Sequence, residues 1–587
     1  MKKTSIGHGV LIMVIAAAVF AIIGCPSGNT SEVQVKKAEA PFITVQPTDY
    51  QLNKGETVEL SVTATVTDGG KLSYQWYSAT AVGRTGTIVD GADESVFSPP
   101  TDTAGTIYYY AEVSNSNEDT KTSTRSRYAT LFVTDPATAT NPSGTQYYIK
   151  VDTSEAAKHQ FVRGFGGMIN AWGSSPDMTI TDADMLFNPD KLGLNILRMI
   201  IYPEPLEDIM KNVVYTSVDN SDLFDIGKVV NKYGGMIIGC PWTPPEEFKL
   251  ANGHLNPSKY RDMGQHLVTW INKMEKGMGG NNKIFAVSSQ NEPDGTATWC
   301  IYTPEENRDF VKDVFPWIKQ QVPHVNLFPG EWYDFKEEQY QPIINDPAAL
   351  AAVDGFAGHF YGGAVGQRKD TLIATGKEVW MTEHLRNTNN NKIVDSTWDK
   401  VWDFADDFHN TMIHDYNAYV YWYAKRWYGL IGDSEAGVTN QRDGQPQLRG
   451  LLMSHFAKYA AGKYRYDANW VNNTFSAAAN EPALLRSTVY MDEQTITMVL
   501  FNKGTTPNAS YWVNIRLPEA VKSGFAIATY DGTKDSQGRT VPQPNGTAVD
   551  SSMVKQQPTR VVLSADKLTA SVFVPASSFV SIRFYKQ

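Results

Sequence analysis

The strongest constraint on the fold of this chain lies between about Gly164 and Ala424, where short apolar strand-like runs alternate with amphipathic helical runs. Strands separated by helices cannot pair as hairpins and point to βα units around a parallel sheet. The candidate strands are Gly164–Ile169, Asn195–Ile201, Gly235–Cys240, Lys283–Ser289, Val325–Gly330, Val353–Phe360, Glu378–Glu383 and Ala418–Ala424, and eight such strands match a closed (β/α)8 barrel. The helices between them carry start signals. Asn256-Pro257 opens a run with Tyr260, Met263, Leu267, Ile271 and Met274 on one face. Thr303-Pro-Glu-Glu306 reads as a capping box with proline at the first helical position, ahead of Phe310, Val311, Val314, Phe315 and Ile318. Trp398, Val401, Trp402, Ala405, Phe408 and Met412 line another helix at three-to-four spacing. These apolar faces are expected to be core.

Two of the candidate strands end on a carboxylate. Val287-Ser-Ser-Gln-Asn-Glu-Pro-Asp294 delivers Glu292 and Glu378-Val-Trp-Met-Thr-Glu383 delivers Glu383. Barrel strands present their last residues to a site at the C-terminal face. Two carboxylates about 5–5.5 Å apart there are what retaining cleavage of a glycosidic bond requires. Asn-Glu-Pro by itself is a weak signal; its position between a β-rich run and a helix gives it weight.

The flanking sequence departs from this pattern. At 587 residues the chain suggests several domains. Residues 1–24 read as a signal peptide: Lys2 and Lys3 precede an apolar run from Val10 to Ile23. Ile22-Ile23-Gly24-Cys25 resembles a bacterial lipobox, which implies cleavage before Cys25 and its lipidation. The alternative is an uncleaved anchor helix, for which the run is short. The lipid anchor implies the cell surface or periplasm, and Pro26 after the cysteine favours the outer membrane if the cell is Gram-negative. Residues 25–40 read as a tether. Over 41–134, period-2 runs such as Leu72-Ser-Tyr-Gln-Trp-Tyr77 argue for a β-sandwich that resembles a bacterial immunoglobulin-like domain, with Trp76 in the strand-C tryptophan position. Ala111 stands where disulfide-bonded members have cysteine, and a spacer role is expected. A Pro/Ser/Thr linker (135–145), the first strands of a β side domain (146–160), the barrel (161–465) and a C-terminal β-sandwich side domain (466–587) complete the chain.

Composition narrows the function. A net charge of −11 without a long basic run leaves nucleic-acid binding no electrostatic footprint. The 14 Trp and 29 Tyr suit stacking on sugar rings, although strand-rich cores use aromatics too. Beyond Cys25 only Cys240 and Cys300 remain, just past neighbouring strands; two separate thiols are expected, with a disulfide sterically conceivable. Neither a CxxC nor a His-rich pattern occurs, so no metal and no cofactor are expected, and the chain is read as a monomer.

From about Gln146 to Gln587 the sequence resembles glycoside hydrolase family 30. The matching strings are Gly164-Phe-Gly-Gly167, Pro241-Trp-Thr-Pro-Pro245, Ser289-Gln-Asn-Glu-Pro-Asp294, Gly358-His-Phe-Tyr-Gly362, Trp380-Met-Thr-Glu383 and Tyr421-Trp-Tyr-Ala-Lys-Arg-Trp-Tyr-Gly429. The resemblance implies Glu292 as general acid/base at the end of strand four and Glu383 as nucleophile at the end of strand seven. It implies Arg198 beside the nucleophile, Asn291 on the sugar 2-OH, Trp242 stacking on a sugar, and His359 and Tyr361 framing the pocket. The acid must carry a proton to the leaving oxygen, and the nucleophile must stay ionised. A plain strand cap for Asn291 and a packed, hydrogen-bonded role for His359 are the structural alternatives.

Trp422-Tyr-Ala-Lys-Arg-Trp-Tyr428 is similar to the strand-eight segment of bacterial glucuronoxylan endo-β-1,4-xylanases, in which an arginine pairs with the carboxylate of a 4-O-methylglucuronic acid branch. The resemblance assigns that role to Arg426, with Trp422 and Tyr428 as companions; an internal ion pair is the alternative. A guanidinium fork suits a planar carboxylate better than an ammonium does. One departure stands out: those enzymes have a Tyr two residues past the nucleophile that also touches the branch acid, and here it is Leu385, with Arg386 or Thr388 as candidate substitutes. The expectation is therefore a glucuronoxylan-acting endoxylanase, with a relaxed xylanase or other β-glycanase of the family as alternative. A non-catalytic glycan-binding protein built on a dead barrel is a third reading, against which both strand-end carboxylates speak.

Overall fold

The computed structural model describes residues 38–118, 120–135, 145–169, 178–205, 223–295, 299–362, 365–386, 398–433, 442–506, 509–531 and 554–587. Cys25 and the segment read as signal peptide lie outside them, as does Thr388. Among the described residues no helix is long and apolar enough to cross a membrane.

The alternating segment forms an eight-stranded, all-parallel sheet: β1 (Gly164–Met168), β2 (Ile196–Ile201), β3 (Met236–Pro241), β4 (Ala286–Ser288), β5 (Asn326–Phe328), β6 (Gly355–His359), β7 (Glu378–Glu383) and β8 (Ala418–Tyr421). The order β5-β4-β3-β2-β1-β8-β7-β6 is that of a barrel, and a parallel bridge between Trp332 and Gly358 nearly closes it between β5 and β6. Strands 4, 5 and 8 are shorter than their apolar runs suggest. Past β4 the pairing goes on as single bonds, Ser289 N–H to Phe328 O and Asn291 N–H to Pro241 O, up to Glu292, whose φ of 42° is left-handed. The barrel interior is filled by Ile196, Ile238, Ala286, Phe328, Ala357, Trp380, Ala418 and Val420. Gly166 shows why β1 is glycine-rich, because a Cβ there would lie 1.7 Å from the Ile196 carbonyl of β2.

The helices pack where their apolar faces direct them. Helix Tyr260–Met278 buries Met263, Leu267, Ile271 and Met274. Helix Pro304–Gln321 starts with the capping box read from sequence: Glu306 N–H donates to Thr303 Oγ1 at 3.1 Å and Thr303 N–H to Glu306 Oε2 at 2.7 Å. Such a cap contributes about 1 kcal/mol. Helix Trp398–Ile413 buries Trp398, Val401, Trp402, Ala405, Phe408 and Met412.

Two further sheets lie beside the barrel. Thr145–Val151 pairs in parallel with Tyr511–Arg516 and antiparallel with Ala468–Val471 in a five-stranded sheet. Lys158–Val162 joins a seven-stranded sheet with Lys463–Tyr466 and Ser578–Lys586. The N-terminal region is all-β, centred on Gly105–Asn117 and Lys71–Ala79, where Trp76 and Ala111 are register partners and both fully buried.

This N-terminal region packs against the rest of the chain through charged groups. Asp49 is 4% exposed and receives Arg127 Nη1 at 3.1 Å, Arg583 Nη1 at 3.4 Å and the Tyr585 hydroxyl at 3.1 Å. Arg125 pairs with Asp190 of the barrel region at 2.8 Å, and Val561 N–H donates to Gln51 Oε1 at 3.0 Å. A region expected to act as a spacer is thus also seated on the C-terminal sheets.

Candidate active site

Glu292 and Glu383 meet at the C-terminal mouth of the barrel. A carboxylate oxygen of each, together with a ring nitrogen of His359, lies within 4.8 Å of the others. The register of the parallel strands produces this meeting, because β2, β4, β6 and β7 all end at the same rim. Backbone bonds hold the rim at β4: Asn291 N–H donates to Pro241 O, and Glu292 N–H to Glu331 O, each at 2.8 Å. The left-handed φ of Glu292 is a strained conformation for a side chain, which the surrounding bonds over-determine.

Beneath the carboxylates lies a chain of alternating charges. Arg198, fully buried within β2, donates from Nη1 to Glu383 Oε2 at 2.7 Å and from Nη2 to Asn291 Oδ1 at 2.7 Å and Glu331 Oε2 at 3.0 Å. His359, also fully buried, contacts Glu292 Oε1 through Nδ1 at 3.0 Å and Glu331 Oε2 through Nε2 at 3.2 Å. Burial works against the imidazolium, but Glu383, Glu292 and Glu331 outweigh it and push His359 up to about 9. Burial also opposes the charge of Glu331, yet Arg198 and His359 hold it well below the usual carboxylate range. The spacing of Glu292, His359 and Glu383 would admit a cation, but Arg198 and a protonated His359 already supply the positive charge there.

Aromatic side chains wall the site. Trp242 is only 4% exposed, with the Arg198 guanidinium 4.7 Å from its ring centroid and Trp422 tilted against it at 6.0 Å. The Tyr361 hydroxyl donates to Glu383 Oε1 at 2.9 Å, and its ring stacks at 5.1 Å on Tyr333, which is 44% exposed. After β8 the chain continues through a cis Trp422–Tyr423 bond into Lys425, which is anchored to Asp182 at 2.6 Å. Arg426 is partly exposed, its guanidinium carbon 5.8 and 5.9 Å from the Tyr423 and Tyr428 ring centroids. Its Nε has no hydrogen-bond partner, and among the described residues no carboxylate pairs with it. The internal ion pair weighed as the alternative for Arg426 is therefore not seen there.

Leu385 and Trp422 pack partly buried against the cluster that contains Cys240, Trp242 and Tyr428. Arg386, a candidate substitute for the missing Tyr, is turned to Asp407 at 3.3 Å. Cys240 and Cys300 are both buried free thiols.

So Arg198, Trp242, Asn291, Glu292, His359, Tyr361 and Glu383 converge, while Trp422, Arg426 and Tyr428 form the adjoining aromatic wall. Glu331, Ser288 and Tyr333 were not singled out from sequence. For Glu331 a signal existed: it lies just beyond the fifth strand Asn326–Phe328, as Glu292 lies just beyond the fourth, Ala286–Ser288.

No protein-family model matches the chain. The chain is 30% identical to the glucuronoxylanase XynC of Bacillus subtilis (strain 168) over 373 residues, which is 61% of this chain and 78% of that protein. Among solved structures it is similar to the family 30 subfamily 8 xylanase Xyn30A from Clostridium acetobutylicum, with TM-score 0.55 and 24% identity over 74% of this chain and 99% of that one. A GH30 endoxylanase from Clostridium papyrosolvens C71 matches with TM-score 0.55 and 21% identity, covering 76% of this chain and 100% of that one. By this relationship and by its barrel with β side sheets, the chain belongs to the xylanase group of glycoside hydrolase family 30 and is a xylanase-like glycoside hydrolase.

Proposed function

We propose that this protein is a retaining endo-β-1,4-xylanase acting on glucuronoxylan, with Glu383 as nucleophile and Glu292 as acid/base. The observation that carries this reading is the approach of the two carboxylates to within 4.8 Å, oxygen to oxygen, at one barrel mouth. Retaining enzymes need about 5–5.5 Å between these groups, whereas inverting enzymes leave about 6.5–9.5 Å for a water molecule. In the first step Glu383 attacks the anomeric carbon and Glu292 gives its proton to the departing glycosidic oxygen. In the second, Glu292 takes a proton from water, which attacks the same carbon and releases Glu383. Arg198 and Tyr361 donate to its two oxygens at 2.7 and 2.9 Å and so hold the Glu383 carboxylate in place for attack.

Arg426 is assigned to the glucuronate branch. Its support is a guanidinium held between Tyr423 and Tyr428 with an unpartnered Nε. A second reading, a xylanase with relaxed branch dependence, is favoured by Leu385 and by the inward pairing of Arg386 with Asp407. The non-catalytic alternative is disfavoured by the ion-paired, strand-end setting of both carboxylates. Anchoring at the cell surface or outer membrane through a lipidated Cys25 belongs to the same proposal; metabolic labelling with a fatty acid, lost in Cys25→Ser, tests it.

The deciding experiment is digestion of glucuronoxylan beside arabinoxylan and β-glucan, with product masses read out. Branched xylo-oligosaccharides from glucuronoxylan are expected, and Glu383→Gln should abolish their release. Full activity of Glu383→Gln would end the assignment.

A further inference from the structure

Glu331 has no role in the two-carboxylate reaction described above, yet it is 1% exposed and sits between the two cations that touch the reacting groups. Both cations converge on one atom. Arg198 Nη2 and His359 Nε2 meet Glu331 Oε2 at 3.0 and 3.2 Å, and the Ser288 hydroxyl donates to Oε1. From that atom the two arms diverge, Arg198 to Glu383 at 2.7 Å and His359 to Glu292 at 3.0 Å. The backbone of Glu331 is tied to the same strand end: its N–H donates to Gln290 O, and its carbonyl accepts the N–H of Glu292, each at 2.8 Å.

Resting on the assignment of Glu383 and Glu292 as nucleophile and acid/base, we infer that Glu331 is a positioning residue, the constant counter-ion that keeps Arg198 and His359 paired through both halves of the reaction. At the start of the first step Glu292 must hold the proton it gives to the leaving oxygen, and at that point His359 has no negative partner at its Glu292 end. In the glycosyl-enzyme Glu383 is a neutral ester and Glu292 is ionised, so Arg198 loses its negative partner at the Glu383 end. The charge therefore moves from one end of the chain to the other as the Glu383–carbon bond forms and the glycosidic C–O bond breaks. A buried cation left without its counter-ion is strongly disfavoured. Glu331 supplies that counter-ion to whichever cation has lost its other one, without moving.

The groups facing His359 are Glu292 from the end of β4, Glu331 after β5, Arg198 from β2 at 3.5 Å, Glu383 from β7 and the Tyr361 ring edge at 6.0 Å after β6. Among the described acidic residues, Glu331 alone pairs with both cations.

The test compares Glu331→Gln, Ser288→Ala and Glu383→Gln in the full chain. Circular dichroism and the melting temperature report folding; kcat, KM and the pH profile are measured on glucuronoxylan. Glu331→Gln should lower kcat at least tenfold with KM changed less than threefold, and should move the alkaline limb of the profile downward, because His359 loses one of its anionic partners. Should Glu331→Gln fail to fold, Ser288→Ala decides, with a severalfold loss in kcat at unchanged KM expected. Wild-type kcat and pH profile in the folded variant would overturn the inference, as would equal losses in kcat and KM or a mere fall in the fraction of active protein. An inactive Glu383→Gln beside an unimpaired Glu331→Gln removes this inference alone. An active Glu383→Gln removes the reading on which it rests.

Discussion

Tyr361 donates its phenolic hydrogen to Oε1 of Glu383 across 2.9 Å. Burial and the Glu383 charge both push the phenol well above its ordinary range, so it remains a donor. A hydrogen bond to a charged group contributes about 1.5–3 kcal/mol. Tyr361→Phe should therefore lower kcat on xylan by roughly 10- to 100-fold, since about 1.4 kcal/mol is tenfold in rate. Steady-state kinetics on a soluble xylan would show it, and unchanged kcat would deny the phenol its role.

Glu292→Ala separates the two carboxylates by function. Proton transfer by a positioned acid is worth on the order of 10²–10⁴-fold, and a good leaving group does not need it. The variant should lose most activity on xylan yet form its glycosyl-enzyme readily from an aryl xylobioside with an acidic phenol. Azide should then speed its turnover by replacing water. Equal losses on both substrates would argue against Glu292 as the acid.

Arg426→Ala addresses the branch. A charge-assisted, bidentate contact carries roughly 1.5–3 kcal/mol, so kcat/KM on glucuronoxylan should fall about tenfold or more. Unbranched xylo-oligosaccharides should be cut nearly as fast as by the wild type. A uniform loss on both would refute recognition by Arg426. Because Leu385 stands where a second contact is expected, Leu385→Tyr should widen the preference for the branched substrate.

Asp49 gives a stability prediction. Burial alone would raise its pKa, but Arg127, Arg583 and the Thr130 N–H outweigh that and lower it. A depressed carboxyl contributes stability above its unfolded value that is lost as pH falls through the folded one. Asp49→Asn should cost about 3–5 kcal/mol near neutral pH, as expected when one partner of a buried pair is removed. The difference from the wild type should shrink on acidification below the ordinary carboxylate range. Melting curves at several pH values test this, and a pH-independent difference would contradict it.

The barrel was legible because its information is local. The 3.6-residue spacing of Met263, Leu267, Ile271 and Met274, the Thr303 cap and the apolar runs of the eight strands each specify a neighbour-scale structure that needs one arrangement to bury it. Strand-end placement of Glu292 and Glu383 followed, since alternation and the barrel rule fix where a strand's last residue goes. Strand ends were less legible: the apolar run continues to Ala424, whereas β8 stops at Tyr421 and only the N–H groups of Trp422 and Ala424 go on to bond the His384 and Met168 carbonyls.

What the sequence determined by itself was which elements form and which carboxylates reach the barrel mouth, both set by periodicity along one chain. Only the tertiary structure decided that Arg198, from β2, and His359, from β6, converge on one oxygen of Glu331, and that Asp49 is sealed against Arg583 more than five hundred residues away. Such pairings depend on the three-dimensional closure of the sheet and on the loss of water around the charges, and neither leaves a spacing signal in the order of residues.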